Sequence, residues 1–439
     1  MTSADVRHAA ARTGTLAWDA AREVAHAAAT PLPPREVALA DADGTVLAAP
    51  LVAVADHPPV PRSAMDGYAV CGAPPWRVLT PELRQSHFHA STLPESGFAE
   101  TTWLGSLAEG EACAVVTGAP LPARTTAVLA DEDAVRDGDL LSGAAPPGRH
   151  IRPVAEECAA GEQVLPAGSL VTPAALGLAA ALGYDSLLVR PLPRVVALVT
   201  GNELVSGGRP GPGQVRDAIG PMLPGLLARA GARPAEPLAV PDDRGLLRAA
   251  LGAAAGMPVH GDVGPALGAP GVPVGAGEPA DMVLVSGSSA AGPADHLRAT
   301  LTELGAELLV DGVRCRPGHP QALARLGDTL VVGLPGNPLA ALAAFLTVAV
   351  PALAGLRGEP LPGLMAVPIP GGIARHPLHT RLVPVAVDPS GAVPVGHAGS
   401  AMLRGAAAAD AFAVVDPGPA DAIAARLLPL DPGARPWAV

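Results

Sequence analysis

The chain has 439 residues, 49% of them hydrophobic, and a formal net charge of −12. Its basic residues are all Arg, with no Lys anywhere, which excludes Walker-A phosphate binding, Schiff-base formation and lysine acid–base chemistry. The acidic balance argues against nucleic-acid binding, which needs a basic surface, and aromatics at 2% offer few platforms for bases. The length exceeds one ordinary core and predicts about three or four domains.

Cys71, Cys113, Cys158 and Cys315 are scattered, with no C-x-x-C pair. They read as free thiols in a reducing compartment. The N-terminal stretch lacks the apolar core of a signal peptide, so a cytoplasmic protein is expected. Leu339 to Leu356 is apolar but Ala-rich and interrupted by Pro351. It reads as a buried helix rather than a membrane span.

Residues 15–30 predict an amphipathic helix with Leu16, Ala20 and Val24 on one face. Arg35 to Ala53 reads as strand or helix around an Asp43-Gly44 turn. Ser63-Ala64-Met65-Asp66-Gly67-Tyr68-Ala69 follows a Pro-rich approach and runs from loop into strand. A carboxylate on such a rigid turn can bind a metal or orient an oxyanion through water. Residues 77–145 hold short strands and turns, among them Thr117-Gly118-Ala119-Pro120. Thr172 and Pro173 start a helix that Gly183 stops.

From Pro193 the pattern changes. Arg194–Thr200, Ala235–Val240, Met282–Val285 and Leu330–Leu334 are short apolar runs without alternation, as expected of parallel strands covered on both faces. Helical stretches separate them. One is capped by Asp217 and ended by Gly231, one starts near Arg244, one near Asp295 and one at Pro338. The βαβαβ order predicts a doubly wound sheet, whose ligands bind beyond the carboxyl ends of the strands. Thr200–Glu203, Asp242–Asp243, Ser286–Asp295 and Pro335–Asn337 all lie there.

Small-residue loops at those ends present backbone N–H groups to an anion, yet Glu203, Asp242, Asp243 and Asp295 would repel a phosphate. A divalent cation bridging carboxylates and phosphate resolves the conflict, and hard oxygen ligands suit Mg2+. The Gly/Pro-rich stretch 253–279 carries no chemistry. Residues 361–439 form a β-rich tail with strands at Ala366–Ile369, Leu382–Val387 and Ala411–Val415. His376, His379 and His397 read as solvent-facing loop histidines rather than metal ligands.

Taken together and in this order, the motifs resemble those of the MoeA/gephyrin family, the molybdopterin molybdenumtransferases. Ser63–Ala69 is similar to its S-x-M-D-G-Y-A signature, and Thr117–Pro120 to its T-G-A-P turn. Thr200-Gly201-Asn202-Glu203-Leu204 resembles T-G-D-E-L, with Asn202 a departure, and Gln214–Asp217 resembles the loop ahead of the next helix. Ser286-Gly287-Ser288-Ser289-Ala290 stands for S-G-G-V-S, and of the acidic continuation only Asp295 is kept. Arg316-Pro317-Gly318-His319-Pro320 stands for K-P-G-K-P, so a fixed charge is kept at Arg316 but only a titratable one at His319. Pro335-Gly336-Asn337-Pro338 matches L-P-G-N-P, and Glu157 sits where the family has Asp.

The resemblance implies a multidomain α/β architecture: a doubly wound parallel-sheet (MogA-like) domain, a mainly-β inserted domain, a linking domain and a C-terminal small β barrel. The boundaries expected are 1–58 with 147–192 for the linker, 59–146 for the insert, 193–360 for the molybdopterin-binding domain and 361–439 for the barrel. It also implies a homodimer with a shared cleft, and insertion of molybdate into adenylylated molybdopterin with release of AMP, aided by Mg2+. Asp66, Glu203 and Asp295 would be catalytic, with Asp242 and Asp243 joining Glu203 and Asp295 on the metal. Substrate would meet Thr117, Thr200, Gly201, Asp217, Ser286, Gly287, Ser288, the Arg316–His319 loop, Pro335–Pro338, Arg381 and Ser400. The substitutions at Asn202, Ser288 and His319 leave a second expectation, a diverged paralogue that binds a pterin or nucleotide with little turnover. A scaffold role, as in the gephyrin branch, is a third.

Overall fold

The computed structural model describes residues 15–79, 105–257, 278–287 and 296–434. The chain forms two compact units: residues 38–40 with 49–187, and the remainder.

Helix α1 (Trp18–Ala28) belongs to the larger unit and buries Trp18, Ala21, Arg22, Val24, Ala25 and Ala28. Its inward face is thus centred on Trp18, not on Leu16 and Ala20. The helix is Ala-rich, so its periodicity is faint until the one large side chain fixes the phase.

The smaller unit is built on a six-stranded sheet. At its centre β1 (Gly67–Val70) lies antiparallel to β2 (Glu111–Val115) and to β3 (Ala127–Ala130). Its faces bury Ala69, Cys113 and Val128 on one side and Val70, Trp76 and Leu129 on the other. Gly67 has φ +151, and a Cβ there would sit 2.1 Å from the Leu129 carbonyl oxygen. Only glycine lets the strands close at this point, and the closure fixes Asp66 just before β1. Helix α2 (Pro173–Ala181) starts as its sequence dictates: the Thr172 hydroxyl accepts from the Ala175 N–H at 3.2 Å.

The larger unit is organised by a seven-stranded sheet. Its parallel core runs through β4 (Arg194–Thr200), followed by α3 (Leu223–Arg229), β5 (Leu238–Val240) and α4 (Arg244–Ala254). Then come β6 (Met282–Ser286) and α5 (His296–Glu303). Val195 and Ala197 of β4 point into one core with Met282 and Leu284, while Val196 and Leu198 point into the other with Val283 and Val285. Both faces are covered, which is why these strands show no alternation.

The far edge departs from an all-parallel sheet. β7 (Glu307–Asp311) is followed by the short β8 (Cys315–Arg316), which joins a different sheet. β9 (Ala322–Leu326) then lies antiparallel to β7 and to β10 (Thr329–Leu334), and β10 returns parallel to β6. The sheet is therefore mixed. An Asp328 turn between β9 and β10 leaves no room for a crossover helix.

Pro338–Leu356 is long and apolar enough to cross a membrane by composition, but 94% of it is buried inside the unit. It consists of α6 (Pro338–Ala344), a π turn over Phe345–Ala349 and α7 (Val350–Leu356). Within the π turn, Thr347 Oγ1 accepts from Trp18 Nε1 at 3.0 Å, tying the helix to α1. A Cβ on Gly355 would sit 2.6 Å from the His26 carbonyl oxygen, so the two helices touch backbone to backbone.

The tail forms β11 (Met365–Ile373), β12 (Thr380–Asp388), β13 (Ala411–Val415) and β14 (Ala422–Pro429). The sheet curls so far that a Cβ on Gly391 would meet the Pro368 carbonyl at 2.3 Å, giving the small barrel. One face packs Val367, Val385 and Ala413 inward, while Leu382, Phe412 and Val414 join the core of the mixed sheet.

Candidate active site

Three strand ends of the larger unit meet at the backbone. Thr200 is buried at the end of β4 and its hydroxyl donates to the Ser286 carbonyl at 2.8 Å. Gly287 N–H donates to the Leu334 carbonyl at 3.3 Å. A Cβ on Gly287, at φ +91, would lie 2.4 Å from the Thr200 carbonyl, and one on Gly336 would lie 3.6 Å from the Gly287 Cα. The glycines are needed here because three chains pass at backbone distance.

Beside them is a cavity of about 410 Å³ lined by Val199, Gly201, Asn202, Asp217, Ala239 and Pro241 among others. Asn202, on its lining, is bonded directly to Asp242. The Asn202 N–H donates to Asp242 Oδ2 at 3.1 Å, and the Asp242 N–H donates to Asn202 Oδ1 at 3.0 Å. Asp217 Oδ1 accepts from the Ile219 and Gly220 N–H groups at 2.9 and 3.0 Å, capping the turn that leads into α3. Asp243 Oδ1 accepts from Leu246 N–H at 2.8 Å and caps α4. Glu203 is exposed, with its backbone carbonyl tied to Val215 N–H. Among the described residues no three His, Cys, Asp or Glu side chains gather closely enough to hold a metal. Ser288 and Asp295 lie outside the described residues.

The Pro335–Pro338 turn links this cleft to a second, cationic group. Asn337 occupies the N-cap of α6 without a side-chain capping bond, and Pro338 opens the helix. In the first turn, the Ala340 N–H donates to the Ser400 carbonyl at 3.1 Å. The Ala340 carbonyl lies 3.3 Å from the position of a Cβ on Gly318, at φ +101. Ser400 and the Arg316–His319 loop are thereby gathered at one helix start.

β8 pairs with β12 in parallel, and the register sets Arg316 opposite Arg381 and Cys315 opposite Thr380. The Arg381 guanidinium donates to the Ala374 carbonyl. His319 Nδ1 lies 2.8 Å from the Val313 carbonyl, and its ring stands edge-on to His379 with centroids 5.9 Å apart. His379 in turn stacks edge-on to His376 at 4.6 Å. Burial lowers the His379 pKa, and His376, Arg316, His319 and Arg314 lower it further. Thus Arg314, His376 and His379 belong to this group although their roles were not legible from motifs. Their shared signal is the pairing of β8 with β12, which brings sequence-distant residues side by side.

The last two candidates lie in the smaller unit. Asp66 Oδ1 accepts from both the N–H and the hydroxyl of Thr117, at 2.6 and 2.9 Å. The two bonds, the backbone one first, hold the Asp66 carboxyl below the usual range.

Three family profiles match this chain: the MoeA N-terminal region (domain I and II) over residues 16–183, the probable molybdopterin-binding domain over 196–263 and 269–355, and the MoeA C-terminal region (domain IV) over 366–424. The chain belongs to the MoeA family. A Mycobacterium tuberculosis (H37Rv) relative named molybdopterin molybdenumtransferase 2 is 36% identical over 75% of this chain and 76% of its own length. A molybdopterin molybdenumtransferase of Haemophilus influenzae is 29% identical over 73% and 72%. The fold is shared with the molybdopterin biosynthesis MoeA protein of Pyrococcus horikoshii, at TM-score 0.67 and 21% identity, covering 94% of this chain and 99% of that one. The MoeA family is a family of transferases in molybdenum cofactor biosynthesis, and the multidomain α/β architecture is that of its members.

Proposed function

We propose that this protein inserts molybdate into adenylylated molybdopterin with release of AMP, in a step that uses Mg2+. The observation that supports this reading most is the Pro335–Pro338 turn. It joins the glycine-lined meeting of three strand ends to a cluster of cations at Arg316 and Arg381. An adenylylated pterin needs room and phosphate donors, and an oxyanion needs fixed positive charge. In this reading Asp66 and Glu203 are the catalytic carboxylates among the described residues, the cytoplasm is the place of work, and two copies share the cleft.

Mg2+ keeps several waters and needs only one or two carboxylates beside substrate phosphates. The described residues fit that demand rather than an all-protein cage. Asp242 has Oδ1 to offer, whereas Oδ1 of Asp243 is taken by the α4 cap. When bound, the ion would supply charge neutralisation on phosphate oxygens. Asn202 and Asp242 hold each other, and in this reading Arg316 and Arg381 would hold the anion without the ion's help.

The test is AMP release from adenylylated molybdopterin by the purified protein, with and without molybdate and Mg2+. Release that requires both and is lost in Asp66→Ala supports the reading. Tight binding of the pterin without release would support the second reading, a diverged binding protein. The uncharged Asn202, where the family motif has Asp, is the observation that favours it.

A further inference from the structure

We propose that the His319–His379–His376 cluster makes the Arg316/Arg381 site a proton-coupled oxyanion site, which takes up a proton with each tetrahedral dianion it binds. The proposal deepens the transferase reading and rests on it only for the identity of the natural anion.

The hydrogen bonds set each ring's tautomer. The Val313 carbonyl can only accept, so His319 Nδ1 carries a proton. His376 Nδ1 accepts from the backbone N–H groups of Leu378 and His379, both at 3.1 Å, so it carries none. His379 Nδ1, 3.3 Å from that acceptor, is therefore the donor between the two rings. With Nε2 of His319 and of His379 unprotonated, all three rings are neutral. Nε2 of His319 and Nε2 of His379 are the nitrogens left to receive a proton, and neither has a partner among the described residues.

The surroundings of His379 oppose a proton there. The charged groups acting on His379 are His376 on its own turn, Arg314 and Arg316 on and beside β8, and His319 on the loop after it. No carboxylate is among them. Arg381 stands opposite Arg316 on β12, and Asp416, a nearby acid of the barrel, is engaged by Arg426 at 2.9 Å. Among the described residues, none of Arg314, Arg316 and Arg381 forms an ion pair. A cluster of cations with no counter-ion is stable only while its histidines stay neutral, and a dianion supplies the missing charge. Anion and proton then stabilise each other's binding by the same factor.

Sulfate is the probe, because it remains a dianion across the pH range. Its affinity for the full chain is measured by calorimetry between pH 8 and pH 5.5, in paired buffers of different ionisation enthalpy. Affinity should rise roughly tenfold per pH unit for one coupled proton, with proton uptake near one. His319→Gln with His379→Gln should flatten the slope and abolish uptake, while His397→Gln should keep both. His319→Lys should bind at pH 8 about as wild type binds at pH 6, which a merely structural role for His319 would not produce. Flat affinity in the wild type, an unchanged slope in the double variant, or no sulfate binding at all would each overturn the proposal. AMP release, measured on the same preparation, separates the two ideas. Turnover with flat sulfate binding sinks the proton coupling alone. Proton-coupled binding without AMP release sinks the transferase reading alone.

Discussion

Thr117 gives both its backbone N–H and its hydroxyl to a single oxygen of Asp66. The partners are 51 residues apart and flank two neighbouring strands of the same sheet, so the fold rather than local sequence makes the contact. One oxygen of the carboxylate is fixed and the other is presented.

Thr117→Val should keep the backbone bond and lose the hydroxyl one. The Asp66 pKa should then rise toward its ordinary value, read from the carboxyl carbon shift by NMR. Transferase kcat/KM should fall on the order of tenfold, the scale of one charge-assisted bond. Thr117→Ser should restore both readouts.

Gly287→Ala places a Cβ 2.4 Å from the Thr200 carbonyl at a φ of +91. The three strand ends must part to admit it, at a cost of about 2–3 kcal/mol. Gly208→Ala, also at positive φ but with nothing within 4 Å, should cost about 1 kcal/mol. Denaturant midpoints measure both, and equal losses would contradict the convergence.

Asn202→Asp keeps the acceptor for the Asp242 N–H and adds a charge beside the Asp242 carboxylate. Without a divalent cation the variant should unfold at a lower temperature than the wild type. Mg2+ should reverse that difference, and EDTA should restore it. A melting temperature indifferent to Mg2+ in both proteins would argue against a cation at this place.

The pKa of His379 is lowered in the folded state by burial and by neighbouring cations. Below the unfolded value of about 6.5 the unfolded chain binds more protons than the native one, so stability rises with pH through that region and falls as acid is added. Asp66 shifts downward as a carboxylate, so its contribution is lost only at far lower pH, near and below about 4. Melting curves of wild type and His379→Gln should therefore diverge as pH falls below about 6.5. Parallel curves would remove His379 from the account.

All four cysteines are buried, and burial pushes the Cys315 thiol up to about 12. A thiol reagent at pH 8 should label none of them in the native protein within minutes and all of them in denaturant.

Features carried by neighbouring residues were legible in the sequence. Thr172-Pro173 announces a helix start because capping chemistry is local, and Pro338 announces another because its fixed φ suits the first helical position. The buried parallel strands were legible as unbroken apolar runs. The antiparallel pair β7 and β9 was not, since a five-residue run such as Ala322–Leu326 carries no mark of direction. Asp243 illustrates another limit. A carboxylate before a helix reads equally as a cap or a ligand, and only the Leu246 N–H distance shows the cap. The pairing of Arg316 with Arg381 depends on register between distant strands, which no spacing rule supplies.

The π turn at Phe345–Ala349 means that the two ends of the Pro338–Leu356 rod are phased independently. One end presents Ala340 to Gly318 and Ser400, and the other presents Gly355 to His26. Loss of one residue between them would straighten the rod and rotate one end by about 100°. Ala354 or Leu356 would then face the slot that admits no Cβ, or Ala340 would turn from the cationic cluster. This stretch should therefore keep its length strictly, even where loop insertions elsewhere pass without effect.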